Sequence, residues 1–196
     1  MATVLAVTPS TELEAVNLML SKVGESPVSQ LDVAGYADLA VAQALLSGHN
    51  RSIQSRGWVV NSEENYPMTR DSSGKIVVPV NLLKARVTDE YASSVEPVVR
   101  GGYFYDRMNH TFTFATDLKM DVVWLLKYEE LNESLRRYIA IAAARNFQQD
   151  VYSSTSLDNF TEADEMEARA VALNEDAETA GYNMLDHYST SRALFR

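Results

Sequence analysis

The sequence contains no cysteine, which removes disulfides, thiolate metal sites and cysteine nucleophiles and leaves packing to supply stability. It is also short of positive charge. Seventeen lysines and arginines against 27 aspartates and glutamates give a formal net charge of −10, and such a chain lacks the clustered cations that neutralise phosphates. Ordinary nucleic-acid binding is therefore not expected. Proline and glycine number only five and eight in 196 residues, which argues against a long disordered region. No stretch approaches the roughly 20 apolar residues that span a bilayer. The opening residues MATVLAVTPS lack the positive leader of a secretory signal. The expectation is a protein that does not enter a membrane.

What is present suits a packed globular chain. With 46% hydrophobic residues, a chain of this length buries roughly 70% of its unfolded surface, as one domain or as two small lobes sharing an interface.

Thr11-Glu12-Leu13-Glu14 has the form of a capping box, in which the threonine hydroxyl and the third helical residue's carboxylate satisfy each other's backbone amides. A helix starts there, with Leu13, Val16, Leu20 and Val23 at steps of three and four, and Gly24 with Pro27 stops it. A second helix is expected from Tyr36 to Arg56, carrying Leu39, Ala42, Leu46, His49 and Ile53 on one stripe and ending at Gly57. From Trp58 the period shifts towards two. Val59 to Thr69, Lys75 to Val80, Pro97 to Arg100, Tyr103 to Tyr105, Thr111 to Phe114 and Met120 to Tyr128 read as a sheet region, punctuated by turns at Asp71-Ser72-Ser73-Gly74 and Asp106 to His110. Leu82 to Glu90 fits helix and strand equally.

A third helix is expected from about Asn132, with Leu135, Ile139, Ala143, Phe147 and Val151 every fourth residue and Arg136, Arg137 and Arg145 elsewhere on its surface. After a polar loop at Ser153 to Ser156 comes a fourth, whose Ala163, Met166, Ala170, Leu173, Ala177 and Ala180 suggest a heptad-like seam of small residues. That helix is strongly acidic: between Asp158 and Ala180 eight carboxylates face one base, Arg169. From Gly181 the sign reverses, since Arg192 and Arg196 outweigh Asp186. The expected fold is α+β: a helical bundle formed by the N- and C-terminal helix pairs (1–57 and 131–180), an inserted antiparallel β-rich region (58–130), and an extended C-terminal tail (181–196).

Catalytic signals are weak. His49, His110 and His187 lie far apart and none has a partner at metal-ligand spacing; His49 reads as a hydrogen-bonded core histidine. Arg100-Gly101-Gly102-Tyr103 lacks the lysine and following helix of a phosphate loop and reads as a bend between strands. No GxSxG elbow occurs. The carboxylate pairs Glu63-Glu64 and Glu129-Glu130 fit solvated charge, with a glycan hydrolase using two acids as the alternative reading. No catalytic residue, cofactor or metal ligand is nominated.

Four stretches in the same order carry a resemblance: Glu12 to Asn17 running to Val23-Gly24-Glu25-Ser26-Pro27-Val28-Ser29, then Ile53-Gln54-Ser55-Arg56-Gly57-Trp58, then Arg100-Gly101-Gly102-Tyr103-Phe104-Tyr105-Asp106-Arg107, and finally Gly181-Tyr182-Asn183-Met184-Leu185-Asp186. Together they resemble the tail tubular protein A, or head-to-tail adaptor, family of short-tailed podoviruses. The resemblance implies a structural virion protein, assembled in the host cytoplasm into a dodecameric ring. Its implied partners are further copies of itself, the portal protein above and the tail nozzle protein (tail tubular protein B) below, with DNA passing through the central channel as transient cargo.

Two expectations follow for individual residues. The acids Asp164, Glu165, Glu167, Glu175, Asp176 and Glu178 are candidates for facing the channel, where negative walls repel phosphate and let DNA slide. Tyr182, Met184, Leu185, Tyr188, Arg192, Leu194, Phe195 and Arg196 form a segment too sparse to fold alone and are candidates for docking on the portal.

Overall fold

The computed structural model describes residues 10–33, 35–152 and 155–181, excepting the side chains of 150–152 and 155–161. It is α+β, with four helices and two antiparallel sheets. The chain divides into two compact units. One takes the chain up to Ile53 and resumes at Lys127; the other is Gln54–Leu126.

The helical unit opens as the capping box requires. In α1 (Glu12–Lys22) the Glu14 amide donates to the Thr11 hydroxyl and the Thr11 amide donates to the Glu14 carboxylate. Ala15, Val16, Met19 and Leu20 are buried, and Gly24, at φ 79°, turns the chain out. Helix α2 (Ala37–Gln54) buries Leu39, Ala42 and Leu46. Gly48 stands on the outer side of α2, and a Cβ there would meet nothing within 4 Å.

Helix α3 (Glu133–Tyr152) is the centre of this unit, packing against α1 and α4 (Thr155–Thr179). Its expected stripe is buried at Leu135, Ile139, Ala143 and Phe147; Val151 lies outside the described side chains. The alanines at 140, 142, 143 and 144 are all buried, and their small size lets neighbouring helices approach. Arg136 departs from the expected surface position: it is 6% exposed, donates from Nη1 to the Ser10 carbonyl (3.1 Å) and pairs with Glu133 at 3.1 Å. A carbonyl and a carboxylate at the chain's entry hold the guanidinium inside.

The β-rich unit contains a three-stranded antiparallel sheet of order β1 (Ser62–Met68), β5 (Leu118–Trp124), β2 (Leu82–Val87), and a hairpin of β3 (Pro97–Arg100) with β4 (Tyr103–Asp106). Central strand β5 shows period two directly: Leu118, Met120, Val122 and Trp124 are buried while the residues between them are not. These four, with Met68, Ile76, Phe104 and Phe114, form the unit's core. Val59–Asn61, expected as strand, is instead a short 3-10 turn. Lys75 to Val80 and Thr111 to Phe114 make only isolated bridges, Lys75 to Thr113, Val77 to Tyr103 and Asp106 to Thr111. The ambiguous stretch at Leu82 resolves as β2.

Two buried amides organise the entry and exit of this unit. Gln54, 0% exposed, donates from Nε2 to the Leu126 carbonyl (2.9 Å) and accepts from the Leu126 amide at Oε1 (2.8 Å). Asn61, 1% exposed, accepts from the Trp58 amide (2.8 Å) and donates to the carbonyls of Gln54 (3.1 Å) and Trp124 (2.7 Å). The first residue of the unit is thereby fastened to the last.

A third polar hub closes the β4 turn. Buried Asp106 accepts at Oδ1 from the amides of Glu96 (3.0 Å) and Met108 (2.9 Å), and at Oδ2 from the Asn109 side chain (2.6 Å). Burial pushes its carboxyl up, but these donors outweigh it and hold it below the ordinary aspartate range. The folded-state pKa is depressed, so its stabilisation is present above the unfolded aspartate value and is lost as pH falls through the folded one. Asp106→Asn is expected to flatten the acid limb of the unit's stability profile below about pH 4 while lowering its neutral-pH plateau. Denaturant melts of both proteins between pH 2 and 7 check this; an unchanged acid limb would remove Asp106 as its source.

Candidate assembly surface

Helix α4 carries the acidic cluster, and the structure sorts its residues by face. Ala168 and Ala172 are the buried pair, at 4% and 1% exposure. Ala163, Ala170 and Ala177 are exposed, as is Met166 at 63%. The seam expected through Ala163, Met166, Ala170, Leu173, Ala177 and Ala180 therefore does not face α3. At 100° per residue Ala170 stands about 200° from Ala168, on the opposite side of the helix.

The physical reason lies in a small-residue contact and a charge. Alanines at 168 and 172 meet a helix that is itself rich in alanine, so close approach replaces the burial of large side chains. Arg145 of α3 then draws two carboxylates inward: Glu165 at 3.0 Å and Glu162 at 3.9 Å. Next to them, the Asn146 side chain and His49 Nε2 hydrogen-bond at 2.9 Å. Burial lowers the His49 pKa against the opposing pull of Glu165, which keeps the ring neutral near pH 7. His49 is thus hydrogen-bonded as its stripe position suggested, but it is half-buried and not a core residue.

The six channel candidates do not share one face. Glu165 is turned to Arg145. Asp164 and Glu167 stand on the wall of a groove between α1, α3 and α4. Glu175 and Asp176 are half-buried, and Glu178 is exposed beside the outward small-residue face. The portal candidates Tyr182, Met184, Leu185, Tyr188, Arg192, Leu194, Phe195 and Arg196 lie outside the described residues. Gly181, directly before them, has φ 63° and donates to the Glu178 carbonyl at 3.1 Å, a left-handed helix ending that glycine adopts without strain.

The groove is one concave site where paired acids would matter to a hydrolase; Glu63, Glu64 and Asp121 line another, more open one beside the three-stranded sheet. Two of the first groove's carboxylates already have structural work: Glu14 completes the α1 cap, and Glu133 accepts from both the amide and the hydroxyl of Ser10. Burial pushes Glu133 up, yet the Ser10 bonds and Arg136 hold it below the usual glutamate value. That direction is opposite to the raised pKa a general acid needs. Among the described residues, no group of three or more His, Asp or Glu is placed to hold a metal ion.

Sequence reasoning placed the acids on α4 but missed Arg145 as their organiser and the outward turn of the alanine seam. It also missed Gln54 and Asn61, because an amide carries no periodic signal; their only trace is polarity at positions flanking Trp58.

Comparison with known proteins adds an independent line. A family model described as Tail tubular protein matches residues 13–182. Tail tubular protein A of Klebsiella phage KP34 is 28% identical over 152 residues, which cover 77% of this chain and 79% of that protein.

Proposed function

The chain belongs to the tail tubular protein family, and from that premise we propose that it is the head-to-tail adaptor of its virion, a ring of copies seated between portal and nozzle around the DNA channel. As a family member it is a structural component of the virion tail. No described helix is long and apolar enough to cross a membrane.

The observation that carries the adaptor reading is the outward face of α4. A seam of Ala163, Met166, Ala170 and Ala177, flanked by carboxylates, is exposed on a helix whose opposite side is already packed. A cyclic assembly uses heterologous contacts, so each subunit needs a face that its own chain leaves uncovered. In this reading α4 supplies one lateral surface. The acids not engaged by Arg145 give the assembled wall a negative potential that DNA crosses without adhering. The subunit acts through position and charge, not catalysis.

The segment after Gly181 is the portal contact in this proposal. Its apolar residues dock on the portal, and Arg192 and Arg196 meet acidic groups there. Truncation after Ala180 is expected to leave the folded unit's thermal midpoint unchanged and to abolish co-sedimentation with the portal protein. Retained co-sedimentation would move the portal contact elsewhere.

A further inference from the structure

The groove between α1, α3 and α4 encloses about 560 Å³. Its inner surface is apolar, with Leu18, Ile141, Ala144, Ala168 and Val171 along its length. Val171 is 50% exposed there. Ser134 also lines it: this residue is only 9% exposed, and its hydroxyl has no hydrogen-bond partner among the described residues. A buried hydroxyl left without a partner is costly, so a donor or acceptor on an occupant would remove that penalty.

The chain enters the described structure at this groove. Ser10 is one of its lining residues, and it is clamped in place: its amide and hydroxyl donate to Glu133, and its carbonyl accepts from Arg136. We propose that the segment preceding Ser10, with Val4, Leu5, Ala6 and Val7 at its centre, lies along this groove as an extended strap of the same chain.

Reach and chemistry both fit. From Ser134 to Arg145 the groove follows α3 for about 16 Å at 1.5 Å per residue, a distance that about five extended residues cover. The segment from Met1 to Pro9 carries no charged side chain. Charges of both signs line the groove, Glu14, Glu133, Asp164 and Glu167 with Lys22, Arg137 and Arg145, so neither sign on an occupant is strongly favoured. Apolar side chains meet the apolar floor, and the strap's backbone amides and carbonyls are available to Ser134. Tethering at Ser10 places the segment at the mouth at high effective concentration. The segment after Gly181 starts ten positions beyond Val171. The proposal is independent of ring assembly.

Because the chain has no native cysteine, engineered pairs report cleanly. In the full chain, Val7→Cys with Ile141→Cys, oxidised with copper phenanthroline, is expected to shift to a faster-migrating, reducible, intramolecularly bridged form. Leu185→Cys with Ile141→Cys is expected to stay open. Three results overturn the proposal: preferential bridging by the Leu185 pair, a dimer-sized product from the Val7 pair, or no bridging in either. Circular dichroism of the reduced variants confirms that each is folded. Deleting residues 2–9 supplies a second measurement, with faster amide exchange expected in α1 and α4 around Leu18 and Val171; unchanged exchange at both places counts against the strap.

Discussion

Replacing Asn61 with alanine lowers the stability of the β-rich unit by about 3 kcal/mol. The size follows from what is stranded. Asn61 makes one acceptor and two donor contacts to backbone groups, all between 2.7 and 3.1 Å, at 1% exposure. Alanine leaves the Trp58 amide and the carbonyls of Gln54 and Trp124 to find other partners inside a site that water does not reach. The loss also propagates, because Gln54 is the residue whose side chain holds Leu126. Asn61→Asp is not a rescue: it keeps the acceptor but deletes both donors and places a carboxylate beside two carbonyls. The chain's two tryptophans, Trp58 and Trp124, both belong to this unit, so intrinsic fluorescence in a urea melt reads its unfolding directly. A loss below 1 kcal/mol would mean that the network is dispensable.

The second large effect is on assembly. Met166→Glu is expected to leave the isolated subunit's melting unchanged and to eliminate ring formation. At 63% exposure the methionine contributes little to its own fold. At a lateral contact, the substitution puts a charge into a seam of alanines, Ala163, Ala170 and Ala177. Unpaired burial of that charge costs several kcal/mol per contact, and a closed ring repeats the penalty at every interface. Sedimentation velocity of wild type and variant separates the outcomes: rings that persist in the variant would exclude this face of α4 as a lateral surface.

Much of the fold was legible because certain local rules act alone. The Thr11 to Glu14 box, the stripe at Leu135, Ile139, Ala143 and Phe147, and the alternation of β5 each rest on one period or one cap, and the structure repeats them. Helix α4 was misread on its orientation because alanine has little hydrophobic preference. With alanines at 163, 168, 170, 172, 177 and 180, two seams compete, and Arg145 on another helix decides between them through Glu162 and Glu165. Lys75 to Val80 and Thr111 to Phe114 have strand composition, but Gly74 turns at φ 79°, His110 at φ 54°, and Pro79 has no amide to donate, so bridges form where strands were expected. Gln54 and Asn61 show the remaining limit: their partners are backbone groups as many as 72 positions away, and no sequence period encodes such a contact.

Family membership rests on the match over residues 13–182; the adaptor reading rests on a surface that the chain's own described residues leave uncovered. The most direct test of that reading is the mass of the purified protein, alone and mixed with the portal protein of its own phage, read by native mass spectrometry and negative-stain electron microscopy. The account predicts closed rings with an open centre that join the portal coaxially. A subunit that remains monomeric and unattached in the presence of portal would contradict it.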